Sequence, residues 1–185
     1  MVFMPKATQI LRQDHKKVAG LFDKFEQVEG MDDKRRLATQ AMNELEVHAQ
    51  IEEELFYPAV KKAIEESDLI EEAKQEHRDA KTLIRQLKNM KSQDNGEGDE
   101  FEAKFAKLME AVQHHVEEEE GEMFPKVEAS ELDLAKLGAK MAQRKRGLLK
   151  ELGGGTARSK SKSRSKSKST RRTKSRSTAA RRASR

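Results

Sequence analysis

His48-Ala-Gln-Ile-Glu52-Glu-Glu-Leu-Phe-Tyr-Pro58 has a counterpart later in the chain, His115-Val-Glu-Glu-Glu119-Glu-Gly-Glu-Met-Phe-Pro125. Each stretch puts a Glu four residues after a His and closes on an aromatic-Pro pair. Four residues is about one helical turn, so His and Glu share one helix face. The residues before each stretch extend that face as an apolar seam. Ala41, Leu45, His48, Glu52, Leu55 and Ala59 form one; Phe101, Phe105, Leu108, Val112, His115 and Glu119 form another. Two more stretches carry the same period, Leu11, His15, Val18, Phe22 and Phe25, and Ile70, Ala73, His77, Ala80, Ile84 and Leu87. Four amphipathic seams predict an all-α, up-down-up-down four-helix bundle with a common core.

Turn signals set the lengths. Gly30-Met-Asp-Asp33, Glu66-Ser67-Asp68 and Ser92-Gln-Asp-Asn-Gly-Glu-Gly-Asp99 separate helices expected over about 5–29, 33–66, 68–92 and 99–122. Ser130 with Asp133 reads as a capping box opening a fifth helix over 131–152, with Leu134, Leu137, Met141, Leu148 and Leu152 turned to the bundle or a partner. Gly153-Gly154-Gly155 stops it. Pro58 and Pro125 are expected to kink or end their helices.

A histidine interrupts every seam. One His on an apolar face is ordinarily a hydrogen-bonded core residue, but that reading does not extend easily to four at once. The glutamates are harder to place, because a buried carboxylate costs several kcal/mol unless paired. None of these seam positions carries Lys or Arg, so the counter-charge is best supplied by metal ions. Measured from the turns at Gly30–Met31 and Asn95–Gly96, the pairs His15/His48 and His77/His115 differ in height by about three residues, or roughly 4 Å. Ions in two-metal sites stand about 3.5–4 Å apart. Glu52 and Glu119 would then reach both. The 185 residues include no cysteine, which removes thiolate sites, iron–sulfur clusters and disulfides. Imidazole with carboxylate favours two iron ions, with manganese next.

These residues resemble the hemerythrin-like HHE cation-binding domain. The doubled motif, Gln13-Asp14-His15 upstream and Gln75-Glu76-His77-Arg78 between carry the likeness, which spans about residues 5–150. It implies a non-haem di-iron centre cycling between Fe2+ and Fe3+ and bridged by an oxo or hydroxo group. His15, His48, His77 and His115 would be terminal ligands and Glu52 and Glu119 bridges. Glu76 and His114 are candidates for supporting positions just outside the ligands. His114 lies about 100° round the helix from His115. Glu53, Glu54, Glu118 and Glu120 read as a solvated acidic face, and Phe56 and Tyr57 as core. Oxygen-carrying hemerythrins have a further His one turn away on the third helix and an Asp at the last bridge. Here Ala73 and Lys81 flank His77, and Glu119 stands at the bridge. An open metal position follows, unless Glu76, His114 or water fills it. The expected chemistry is therefore binding, sensing or reduction of O2, peroxide (H2O2) or NO rather than reversible carriage, with catalase-like or NO/O2-reducing turnover as the enzymatic form.

Ferritin-like bundles use Glu-x-x-His; that signature is absent, since Leu45, Lys74 and Val112 stand three residues before His48, His77 and His115, which argues against ferritin-type iron oxidation. No phosphate loop or nucleophile motif suggests hydrolysis. The alternative is an iron-binding sensor without turnover, tethered to nucleic acid through the C-terminus. Residues 153–185 hold 13 Lys or Arg, 13 Ser or Thr and no acid. That leaves 25 basic and 33 acidic residues in 1–152, a net of −8. The domains expected are thus a 1–152 metal-binding body and a 153–185 disordered basic tail. Arg158, Lys160, Lys162, Arg164, Lys166, Lys168, Arg171 and Arg172 are candidate contacts to nucleic acid or another polyanion, without aromatics to stack on bases. No run of 18 apolar residues exists and the first residues do not read as a secretory signal, so a cytoplasmic protein with no membrane partner is expected.

Overall fold

The structure is a computed structural model that describes residues 5–64, 67–90 and 97–161. It is all helical among these residues. The α-helices are α1 (Ala7–Gln27), α2 (Met31–Ile51), α3 (Tyr57–Ala63), α4 (Ser67–Asn89), α5 (Glu97–Glu118), α6 (Phe124–Glu128) and α7 (Leu134–Ser161). Two π-helical turns, Glu52–Phe56 and Glu119–Met123, join α2 to α3 and α5 to α6, so the chain makes five rods. The first four form the up-down-up-down bundle. Its core falls into two apolar layers. One holds Leu11, Ile51, Phe56, Ile70, Phe124 and Met141; the other holds Val18, Phe25, Ala41, Ile84, Phe105 and Leu108. On each of the four rods the seam histidine falls between residues of these two layers.

Both prolines differ from expectation. Neither ends its rod, and the reason lies one turn earlier. A helical proline lacks an N–H and crowds the carbonyl four residues back, here that of Glu54 or Gly121. Each rod takes a wide turn in which the Tyr57 N–H bonds the Glu52 carbonyl and the Phe124 N–H bonds the Glu119 carbonyl. Pro58 and Pro125 then fall in the first turn of α3 and α6, where the missing donor costs little. In an α-helix a residue five positions on is about 140° away from its start. The wide turn brings Tyr57 back toward the face of Glu52, and π turns of this kind recur at functional sites.

The fifth rod also differs. The Lys136 N–H bonds Asp133 Oδ1 at 2.9 Å, so Asp133 caps α7. Ser130 instead bonds the Val127 carbonyl. Leu134, Leu137, Met141 and Leu148 are buried, but Leu152 is exposed. α7 continues past Gly153–Gly155 to Ser161; glycine disfavours a helix interior by only about 1 kcal/mol, which a propagating helix can bear. A Cβ at Gly138 would lie 2.2 Å from the Pro5 carbonyl oxygen, so α7 crosses the N-terminal segment at backbone contact. The chain divides into two units, Met1–Leu152 and Gly153–Arg185. Of the basic positions singled out, Arg158 and Lys160 lie on the α7 backbone, and Lys162, Arg164, Lys166, Lys168, Arg171 and Arg172 lie outside the described residues. Among the described residues no helix is long and apolar enough to cross a membrane.

Candidate metal centre

The four bundle rods converge on six side chains. His15, His48, His77 and His115 are buried, Glu52 is 0% exposed and Glu119 1%. Nε2 of His15 faces Nε2 of His48 at 3.1 Å, and Nε2 of His77 faces that of His115 at 3.2 Å. Glu52 Oε2 stands between the pairs, 3.1 Å from His48 Nε2 and 3.3 Å from His77 Nε2. Glu119 Oε2 does the same from the other side, 3.5 Å from His15 Nε2 and 3.8 Å from His115 Nε2. Two clusters suited to a cation result: His15, His48, Glu52 and Glu119, and Glu52, His77 and His115.

Behind the imidazoles lies a ring of carboxylates. His15 Nδ1 donates to Glu120 Oε1 at 2.7 Å, His77 Nδ1 to Glu53 Oε1 at 3.0 Å and His115 Nδ1 to Glu76 Oε2 at 2.8 Å. Asp14 Oδ2 faces His48 Nδ1 at 3.6 Å. The ring closes on itself, since each rod's acid supports the next rod's histidine. Each acid is also the sequence neighbour of a centre residue: Asp14 of His15, Glu53 of Glu52, Glu76 of His77, Glu120 of Glu119. Glu53 and Glu120 are therefore not the solvated surface that their exposed-looking register suggests.

The ring decides what the centre can hold. An ionised carboxylate only accepts, so it fixes a proton on Nδ1 of His15, His77 and His115 and leaves an Nε2 lone pair pointing inward, while Asp14 stands beyond hydrogen-bond reach of His48 Nδ1. Two lone pairs 3.1 Å apart repel unless a cation lies between them. Donors about 2.0–2.1 Å from one ion, set at right angles, stand about 3 Å apart, which matches both pairs. The carboxylates need the same partner: both oxygens of Glu52 and Oε2 of Glu119 are buried without a hydrogen bond. Without an ion, protons take its place. Burial alone would discharge His48, yet the Glu52 carboxylate and the Asp14 contact raise its pKa to about 10. His77, also opposed by burial, is raised to about 9 by Glu52 and Glu53. Glu52, against its burial, is held well below the usual range by the same two imidazoles.

Tyr57 completes the floor. Its hydroxyl donates to Glu119 Oε1 at 2.9 Å and lies 3.4 Å from His77 Nε2. On the other side is a cavity of about 40 Å3 whose apolar wall includes Val18, Leu45, Ala80, Ile84, Val112 and Val116. The positions one turn either side of His77 add no donor to the centre: Ala73 is in the core, and Lys81 Nζ bonds Glu53 at 2.6 and 2.7 Å. His114 points away, its side chain 64% exposed.

An all-helical bundle that turns four imidazoles and two buried carboxylates inward defines a His/carboxylate metal-binding protein. The comparisons with known proteins agree. The family model of the hemerythrin HHE cation binding domain matches residues 6–127, and the chain belongs to that family. A crystal structure of a hemerythrin HHE cation binding domain-containing protein from Mycobacterium kansasii superposes with a TM-score of 0.65 at 27% identity, covering 78% of this chain and 88% of that one. A DNA nickase of Nostoc sp. is 30% identical over 115 residues, 62% of this chain. The chain spans about a third of that relative's length, 31%.

Proposed function

We propose that the chain is a non-haem di-iron protein that binds and reduces O2, peroxide or NO. The observation that carries this reading is the placement of Glu52 and Glu119, each lying between the two imidazole pairs, with both oxygens of Glu52 and Oε2 of Glu119 buried without a hydrogen bond. His15 and His48 would hold one ion, His77 and His115 the other, and the two glutamates would span them. Once bound, such a pair supplies two one-electron steps to a small ligand. Everything else is done by the protein. The outer carboxylates aim the imidazoles, and the Tyr57 hydroxyl holds Glu119 Oε1 in place. The apolar cavity favours a small uncharged molecule over ions, and its volume exceeds the roughly 10–15 Å3 that a cavity needs to hold one water. With both glutamates spanning the pair, each ion would have two imidazoles and two carboxylates, and neither Ala73 nor Lys81 adds a donor beside His77, which supports open coordination positions and hence reactivity over carriage.

Metal analysis with an absorption spectrum of aerobically purified protein tests the ions. Two irons per chain with charge-transfer bands of a bridged ferric pair are expected; zinc alone would refute it. Peroxide separates turnover from sensing, because sustained O2 release requires a catalyst and one stoichiometric spectral change does not.

A second reading, an iron-binding sensor tethered to nucleic acid, is favoured by the 13 basic residues and no acids of 153–185. Phosphate neutralisation gives salt-sensitive affinity without sequence preference, and the name of the Nostoc relative makes DNA the polyanion to try first. Deleting 153–185 should abolish retention on DNA at low salt; unchanged retention would end this reading.

A further inference from the structure

The ring of outer carboxylates is not uniform in what lies behind it. Asp14 is ion-paired to Lys145, Glu53 to Lys81 at 2.6 Å and Glu120 to Arg12 at 3.0 Å. Each of these three thus has a basic side chain on its outer side. Glu76 has none: among the described residues no Lys or Arg forms an ion pair with it. Its second oxygen, Oε1, faces His114 Nε2 at 3.6 Å instead. His114 Nε2 in turn lies 3.3 Å from Glu118 Oε1, one turn along α5. One atom from each of these three residues lies within 4.8 Å of the others.

The internal repeat shows how unusual this corner is. Asp14-His15 and His48 in the first half correspond to Glu76-His77 and His115 in the second. The counterparts of His114 and Glu118 are then Val47 and Ile51, both buried. On that side the rod is apolar, and a lysine neutralises the supporting acid. On the Glu76 side the equivalent positions carry an imidazole and a carboxylate and are open to solvent, with side-chain exposures of 64% for His114, 32% for Glu118 and 18% for Glu76. Glu72 and Glu122 add negative charge around Glu118.

We propose that Glu76, His114 and Glu118 form an outer site for a divalent first-row cation, sharing Glu76 with the buried centre. One nitrogen and two carboxylate oxygens from two adjacent helices make a three-residue donor set of the kind imidazole-and-carboxylate metals accept. The bound ion supplies the positive charge that Lys145, Lys81 and Arg12 supply at the other three corners. Because Glu76 Oε2 already accepts from His115 Nδ1, a cation on Oε1 is one carboxylate and one imidazole away from the interior. The outer site stands whatever metal the interior takes.

Equilibrium dialysis of the full chain against zinc ion, read as metal per chain, tests the site on wild type and on the double variant His114→Ala/Glu118→Gln. Both substituted side chains are outside the core, so the variant keeps the bundle, and circular dichroism checks this. The wild type should bind one zinc more per chain than the variant. Equal zinc stoichiometry in the two proteins overturns the proposal. An interior that binds no metal would lower both zinc counts together and leave the difference of one, so the two failures are distinguishable.

Discussion

Glu52→Gln separates a metal ligand from an ordinary buried acid. Glu52 belongs to both cation clusters, so a single atom change touches both ions while keeping the side chain's shape. In the wild type, metal at about 100 times its dissociation constant stabilises the fold by about 2.7 kcal/mol per ion. Two ions give roughly 5 kcal/mol, and for a chain of this size each kcal/mol moves the melting temperature by roughly 2–4 °C. Anaerobic Fe2+ should therefore raise the melting temperature of the metal-free protein by about 10–20 °C. In Glu52→Gln both sites lose their shared anion, and the gain should fall below about a third of that. The metal-free variant should melt within a few degrees of the metal-free wild type. Its glutamine no longer needs a counter-charge, and His48 and His77 can shed their protons. Differential scanning calorimetry with and without Fe2+, in chelator-treated protein, gives all four values. A variant that gains as much from Fe2+ as the wild type would refute the reasoning, leaving Glu52 as an acid paired only with protonated histidines.

Metal uptake should be linked to pH. With folded pKa values of about 10 and 9 against an ordinary 6.5, protonated His48 and His77 stabilise the metal-free fold fully below pH 6.5, and this contribution is lost as pH rises through 9 to 10. An ion must displace those protons, so affinity for two ions together should rise by up to about a hundredfold per pH unit below pH 9, and a flat calorimetric profile across pH 6.5–8.5 would contradict it. Glu120→Gln and Glu53→Gln should each weaken metal binding by about 10–100-fold with little change in the metal-free melting temperature, since they act by aiming an imidazole; dialysis measures the first and calorimetry the second. Gly138→Ala drives a methyl into the Pro5 carbonyl and should cost about 1–3 kcal/mol in urea unfolding, without altering metal stoichiometry.

Much of this centre is readable from side-chain periodicity. The steps of three and four that carry Leu11, His15, Val18 and Phe22 also place the histidine inside, because a residue on an apolar seam is buried wherever the seam packs. Tyr57 escapes the same reasoning, since it lies five residues after Glu52 and a uniform 3.6-residue period turns it away. Only the π turn returns it to the centre, and Pro58 is the signal that such a turn is needed. Glu53 and Glu120 are missed for a different reason. They lie next to the seam, where a long side chain can bend back behind a neighbouring rod's histidine, and spacing along one helix says nothing about the rod beside it. Their appearance directly after each His-x-x-x-Glu, mirrored by Asp14 and Glu76 directly before a histidine, is a repeat that a search for doubled motifs exposes. The cap of α7 turns on a choice between Ser130 and Asp133 that propensity leaves open and the hydrogen bond to Lys136 decides.

Each hairpin of the bundle owns a pair of imidazoles, but the carboxylates are lent across. Glu52 serves His48 of its own hairpin and His77 of the other, and Glu119 serves His115 of its own and His15 of the other. Each half of the chain therefore completes its donor set only with the other half's carboxylate, and a cation bound there would join the two hairpins into one cooperative unit. In a cysteine-free protein such coordination would do a covalent staple's work, and a chelator would undo it as a reductant undoes a disulfide.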